Sequence, residues 1–183
     1  QPHDQKSTIA REGIEKRWVG ATTFSNGRDA HFSAEWTEDA SGTQTASVKV
    51  SNTGEWPLLV QSIDYVIDLP RDIFVGGRVE SPGIALPEQK PADATFYRGE
   101  AQALRFVDKS GNWTFSASWA QSRAVTLTDR WDADGRSYRL RVRLWTGPLA
   151  TEEVAERVSL RLDGRAQALP ATLSISTGSK GYP

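Results

Sequence analysis

Two histidines, His3 and His31, are the whole imidazole supply of this 183-residue chain, and it has no cysteine. A Ser-His-Asp triad would have to use one of them, yet no Gly-x-Ser-x-Gly turn presents a serine. His31 opens His31-Phe-Ser-Ala-Glu-Trp36, which alternates as a strand and reads as an ordinary strand histidine. His3 follows Pro2, which lacks the backbone N–H that an amino-terminal copper chelate deprotonates, and residue 1 is not histidine. The missing cysteine also excludes disulfides, thiolate nucleophiles, Cys-ligated zinc and iron–sulfur clusters.

Carboxylates are the next reagents. Asp64 and Asp68 share one face of a strand, and at ~3.4 Å per residue they stand about 13–14 Å apart. Retaining glycoside hydrolysis wants about 5–5.5 Å between carboxyls and inverting hydrolysis about 6.5–9.5 Å, so this pair cannot act alone. The Glu-x-Asp-x-x-Glu strand signature of one jelly-roll glycosidase group is missing, Glu35-Trp-Thr-Glu38 being the nearest approach. Asp129, Asp132 and Asp134 before Gly135 gather oxygen ligands of the kind calcium takes. The acidic residue that closes an EF-hand loop is absent, and Asp-Gly is a common hairpin turn. A turn with no cofactor is the expectation, with calcium at these three aspartates as the alternative.

Rings and guanidinium groups remain. Seven Trp, four Tyr and six Phe are a generous supply. Trp113, Phe115 and Trp119 share a strand face with Ala117, opposite Thr114, Ser116 and Ser118, and so read as core. Trp56, in the turn Gly54-Glu-Trp-Pro57, and Trp131, in an Asp-rich turn, are either caps over the core or stacking platforms. Sugars offer apolar C–H faces to such rings and need Asp, Asn, Gln or Arg for their hydroxyls. Asn52 and Glu55 lie near Trp56 in sequence, as Asp129 and Arg130 do near Trp131. On another strand Tyr138, Leu140, Val142 and Leu144 form the apolar side, leaving Arg139, Arg141, Arg143 and Trp145 on the other. That stripe, repeated by Arg157 and Arg161, fits acidic sugars or phosphate, a solvated face, or a docking surface.

The elements that position these residues are strands. Thr45–Val50 alternates and ends in the turn Ser51-Asn-Thr-Gly54, and Leu58–Leu69 alternates until Pro70. Residues 76–93, with three prolines, read as a long connection carrying a short edge strand at most. Ala103–Val107 and Asn112–Trp119 flank the hairpin loop 108–111. Ala124–Thr128 and Ser137–Trp145 flank the loop 129–135, and Arg157–Asp163 and Thr172–Ser176 complete the set. Thr151–Glu156 has the composition of one capped helical turn. Residues 1–23 are polar and weakly periodic, an N-terminal arm in which Ser7–Arg17 could form a short helix. The expectation is all-β: an antiparallel β-sandwich or jelly roll of about nine or ten strands over residues 24–176, with a linker-like tail at 177–183.

Composition narrows the function. A hydrophobic share of 38% with 25% charged residues is that of a globular protein, and no apolar run approaches the ~20 residues of a membrane helix. A net charge of −1 gives no bulk attraction to nucleic acid or anionic membrane, so neither is expected as a partner.

Val48-Lys-Val-Ser-Asn-Thr-Gly54 resembles a strand-and-turn phrase of bacterial sandwich modules in secreted enzymes. Leu104–Trp113, Val125-Thr-Leu-Thr-Asp-Arg-Trp131 and Ser137–Val142 are similar to the amino-terminal, non-catalytic β-sandwich of secreted bacterial polysaccharide-degrading glycosidases. The resemblance spans roughly residues 24–176 and implies a carbohydrate-binding or ancillary module, secreted or periplasmic. Its partners would be a polysaccharide or oligosaccharide and a covalently linked catalytic domain beyond the C-terminus. It brings no fixed ligand set, so the expected carbohydrate-binding residues, Trp56, Trp131, Trp145, Asp129, Arg139, Arg141 and Arg143, rest on their chemistry. No catalytic residue is expected. A small jelly-roll hydrolase or lyase and a purely structural sandwich are the alternatives.

Overall fold

The computed structural model describes residues 6–12, 15–23, 29–52, 54–131, 136–150, 153–164 and 171–176. The strands are β1 (Lys6–Glu12), β2 (Glu15–Thr23), β3 (Asp29–Glu38), β4 (Thr43–Asn52), β5 (Leu58–Pro70), β6 (Arg78–Val79), β7 (Ile84–Ala85), β8 (Thr95–Val107), β9 (Thr114–Arg130), β10 (Ser137–Leu149), β11 (Glu153–Asp163) and β12 (Ala171–Ser176). A single helical turn, α1 (Arg71–Phe74), follows β5. Ten of the twelve strands exceed two residues, and the all-β antiparallel sandwich expected from the sequence is what forms.

The strand order is β1-β2-β3-β4-β11-β9-β10-β5-β12, and β9 is the hinge of the architecture. Its first part, Thr114–Trp119, pairs with β11, and its second part, Val125–Arg130, pairs with β10. The long β8 follows both parts, but between Ala101↔Arg123 and Ala103↔Ser118 four residues of β9 stand opposite Gln102 alone. Extra residues on one strand bend it and increase its twist, so this bulge turns β9 from one half-sheet into the other. The sequence pattern had suggested two strands with a break here.

Alternation then fills one core from both halves. Ala46, Val48 and Val50 of β4 and Val154, Val158 and Leu160 of β11 meet Phe115, Ala117 and Trp119 of early β9. Ile63, Tyr65, Ile67 and Leu69 of β5, Val125 and Leu127 of late β9, and Tyr138, Leu140, Val142 and Leu144 of β10 belong to the same buried cluster. The faces predicted for β5, β9 and β10 are therefore the core faces. Trp113 lies just before β9 and is only half-buried at the edge of that cluster.

Residues 76–93 hold only the two-residue strands β6 and β7, as their prolines require. Gly77 sets how closely this connection lies on the sheet. A Cβ there would fall 2.2 Å from the Val107 carbonyl oxygen, so only glycine lets the two backbones approach.

Two local expectations are corrected. Within the N-terminal arm, the short helix possible over Ser7–Arg17 does not form: β1 and β2 pair with each other, and β2 with β3. Ladder pairing along a sheet edge satisfies those backbone groups, and Gly13 interrupts any helix. The capped turn expected at Thr151–Glu156 is overridden from residue 153 onward by β11, whose Val154, Glu156, Val158 and Leu160 alternate inward.

Candidate functional site

At one end of the core face β9 delivers Asp129 and β10 delivers Tyr138, which stand opposite each other in register. Pro70 ends β5, and α1 swings Arg71 over that end, where its backbone N–H donates to the Arg136 carbonyl at 3.1 Å. The Arg71 guanidinium donates from Nε to Asp129 Oδ1 and Oδ2 at 3.3 and 3.4 Å. Its Nη2 donates to the carbonyls of Pro87 and Glu88 at 2.9 and 3.0 Å. The guanidinium carbon lies 4.0 Å from the centre of the Trp131 ring and 5.3 Å from that of Tyr138. The Tyr138 hydroxyl donates to the Pro87 carbonyl, and burial pushes its phenol up to about 12.

Asp129 is thus a latch that ties the connection after α1 to the sheet. It is only 3% exposed and does not present its carboxylate to solvent. Trp131 is half-buried beneath Arg71, with Arg136 5.6 Å from its ring centre on an otherwise exposed side chain. Beside them lies an open cavity of about 390 Å³ lined by Arg71, Asp72, Val75 and Arg136. Asp132 and Asp134, the other two aspartates of the calcium alternative, lie outside the described residues.

The arginine stripe of β10 is on the outer face of the sheet, and β5 supplies its partners. Register places Arg139 opposite Asp68 and Arg143 opposite Asp64. Arg139 makes a bidentate pair, Nε to Oδ1 at 2.8 Å and Nη2 to Oδ2 at 2.6 Å, and Ser137 Oγ donates to the same carboxylate at 3.3 Å. Burial would raise the Asp68 pKa, but the hydrogen bond and charge of Arg139, with the charge of Arg130, hold it below the ordinary value. Asp64 is 1% exposed and accepts from Arg143 Nε and from Ser62 Oγ. Arg141 stands 4.0 Å from Asp64, and Arg130 3.6 Å from Asp68.

Trp145 does not continue the stripe. The register shifts between Arg143 and Trp145, so Leu144 is an extra residue and Trp145 pairs with inward-facing Ile63. Its ring packs half-buried against the core, and its indole N–H donates to the Gly147 carbonyl at 3.1 Å. A one-residue bulge reverses the face of everything after it, which alternation read from sequence cannot detect.

Trp56 is different again. Its ring is 68% exposed, and it is the one large apolar side chain open to water among the described residues. The turn that carries it is fixed by Asn52, whose side-chain amide donates to the carbonyls of Trp56, Leu149 and Ala150 at 2.6–3.0 Å. The Asn52 side-chain oxygen accepts from the Gly54 N–H at 2.9 Å. Trp56 precedes the first residue of β5, whereas Trp131 follows Arg130, which aligns with Ser137 and Pro70 at its last. The length of β5 separates the two rings by roughly 40 Å, so they cannot form one platform.

The structure adds residues that sequence reasoning passed over. Arg71 was hidden in a helical turn after Pro70. Arg98 lies on the first half of β8, in Thr95-Phe-Tyr-Arg-Gly-Glu100, whose ring and β-branched residues favour a strand without clean alternation.

No family model matches this chain, and no curated protein matches its sequence. Solved structures do. The crystal structure of the GalM/aldose epimerase homologue from C. elegans is 10% identical, with a TM-score of 0.54 over 87% of this chain and 69% of that one. The Slr1438 protein from Synechocystis sp. PCC 6803 is 10% identical, with a TM-score of 0.45 over 88% of this chain and 66% of its own. HI1317 is 13% identical, with a TM-score of 0.43 over 85% of this chain and 63% of its own. The chain is therefore similar in fold to the C. elegans aldose epimerase homologue and spans about two thirds of its length.

Proposed function

We propose that this chain is a non-catalytic carbohydrate-binding or ancillary sandwich module that targets or braces a glycan-degrading enzyme. Trp56 carries the reading. An indole left in water on a turn already fixed by Asn52 stacks on the C–H face of a sugar with little further loss of freedom. Glu55 is the adjacent polar side chain, the Asn52 amide being committed to holding the turn. Four carboxylates, Asp64, Asp68, Asp129 and Glu156, are each held by arginine. The proposal includes a covalently linked catalytic domain beyond the C-terminus and a secreted or periplasmic location, both of which follow from the module resemblance.

Affinity electrophoresis against neutral and acidic polysaccharides tests it. We expect retardation without product release, and loss of retardation on the neutral ligand in Trp56→Ala. Unchanged retardation in that variant would overturn the platform.

A second reading, a catalytic chain, is favoured by the fold it shares with a homologue named for aldose epimerase. Polarimetry of single anomers and assays for reducing-end or unsaturated products decide between them. Turnover by the isolated chain would replace the first reading with this one.

A further inference from the structure

The outer face of the β8–β9–β10–β5 half-sheet is rich in guanidinium and hydroxyl groups. Register aligns Arg98, Thr126, Arg141 and Val66 in one row across four strands. The next row on this face holds Thr128, Arg139 and Asp68, with Thr95 beside Thr128, and Arg130 and Arg143 lie at the ends. β12 pairs along the other edge of β5, with Thr172, Ser174 and Ser176 in register with Val66, Asp64 and Ser62. Among the acids here, Asp64 and Asp68 are already bonded to Arg143 and Arg139, and Glu100 is exposed on β8. Five arginines therefore face three carboxylates. Arg141 is 45% exposed at the limit of contact with Asp64, and the exposed Arg98 pairs with no described acid.

We infer that this face binds an anionic, carboxylate-bearing polysaccharide, with Arg98 and Arg141 as the two cations that meet its acid groups. This deepens the carbohydrate-binding reading and rests on it. The choice of partner follows from what the face contains. A docked protein domain would need an apolar centre, and Val66 is the one large aliphatic residue here and is buried. Single-stranded nucleic acid would want rings to stack on, and this face has none because the bulge at Leu144 turns Trp145 inward. A neutral glycan would use the hydroxyls but leave the cations unmatched. At ~4.8 Å between strands, Arg98 and Arg141 stand about 10 Å apart across Thr126, so one chain can meet both while Thr126 and Thr128 hydrogen-bond its hydroxyls. The Asp64 and Asp68 pairs hold Arg143 and Arg139 in place and keep the face from being uniformly cationic.

The test uses polygalacturonate, the same polymer with its carboxyls methyl-esterified, a neutral polysaccharide and a DNA oligonucleotide as probes on the full chain. We expect binding to polygalacturonate that weakens with salt, and at least about tenfold weaker binding in Arg98→Gln/Arg141→Gln. Equal binding of acid and ester, equal binding by the double variant, or equally tight DNA binding would overturn the inference while leaving Trp56-dependent glycan binding standing. Failure of every glycan to bind would overturn both readings.

Discussion

Glu156 of β11 holds Arg123 of β9 at the bend where β9 changes partners. Arg123 Nε and Nη2 donate to Glu156 Oε2 at 2.9 and 2.7 Å, while Arg123 Nη1 donates to the Leu144 carbonyl of β10 at 3.2 Å. The second carboxylate oxygen accepts from the Ala120 N–H at 3.2 Å, a backbone group the bulge removes from the ladder. One buried ion pair thus ties β11, β9 and β10 together at the junction of the two half-sheets.

Removing one member of such a pair strands the other charge. Glu156→Gln should destabilise the fold by about 3 kcal/mol, read from urea or guanidinium unfolding. Restoring complementarity with Arg123→Leu in the same chain should recover part of that loss. A change below about 1 kcal/mol in the single variant would mean that the bend is held by packing alone.

Asp68 gives a pH dependence with a definite sign. Burial pushes its pKa up, but the Arg139 hydrogen bond and charge prevail and the folded-state value lies below the ordinary 3.8. The folded protein therefore binds this proton less readily than the unfolded chain does. Its contribution is fully present above about pH 4–5 and is lost as pH falls through the depressed folded value. Urea midpoints measured from pH 7 down to pH 3 should decline for the parent chain and decline less steeply for Asp68→Asn. Parallel curves would show that Arg139 and Asp68 are not coupled in solution.

Much of this architecture could be read from period-two alternation, because Tyr138, Leu140 and Val142 or Ile63, Tyr65 and Ile67 alternate without interruption. Where alternation breaks, so does the reading. The four residues of β9 opposite Gln102 hid a continuous strand, and the single extra Leu144 moved Trp145 from the arginine face to the core. Thr95–Glu100 has strand propensity, but the register shift between Thr95 and Tyr97 breaks its alternation, which leaves Arg98 without a readable face. The arginine stripe was legible as a stripe. That Asp64 and Asp68 answer it depends on register between β5 and β10, strands whose partnership nothing local encodes.

Asp129 separates a binding role from a structural one. Its carboxylate is the charge partner of Arg71, and both side chains are almost wholly buried. Asp129→Asn keeps the shape but leaves the Arg71 guanidinium, still bonded to the Pro87 and Glu88 carbonyls, without its counter-charge. That change should cost about 3 kcal/mol or more of stability. Because Arg71 lies 4.0 Å over the Trp131 ring, it should also alter tryptophan fluorescence before global unfolding. Glycan affinity, measured on the folded fraction, should stay at the parent value, since the carboxylate never reaches the surface. The opposite pattern, with stability and fluorescence unchanged and affinity lost, would make Asp129 a ligand-contacting residue and would require the Arg71 latch to open when sugar binds.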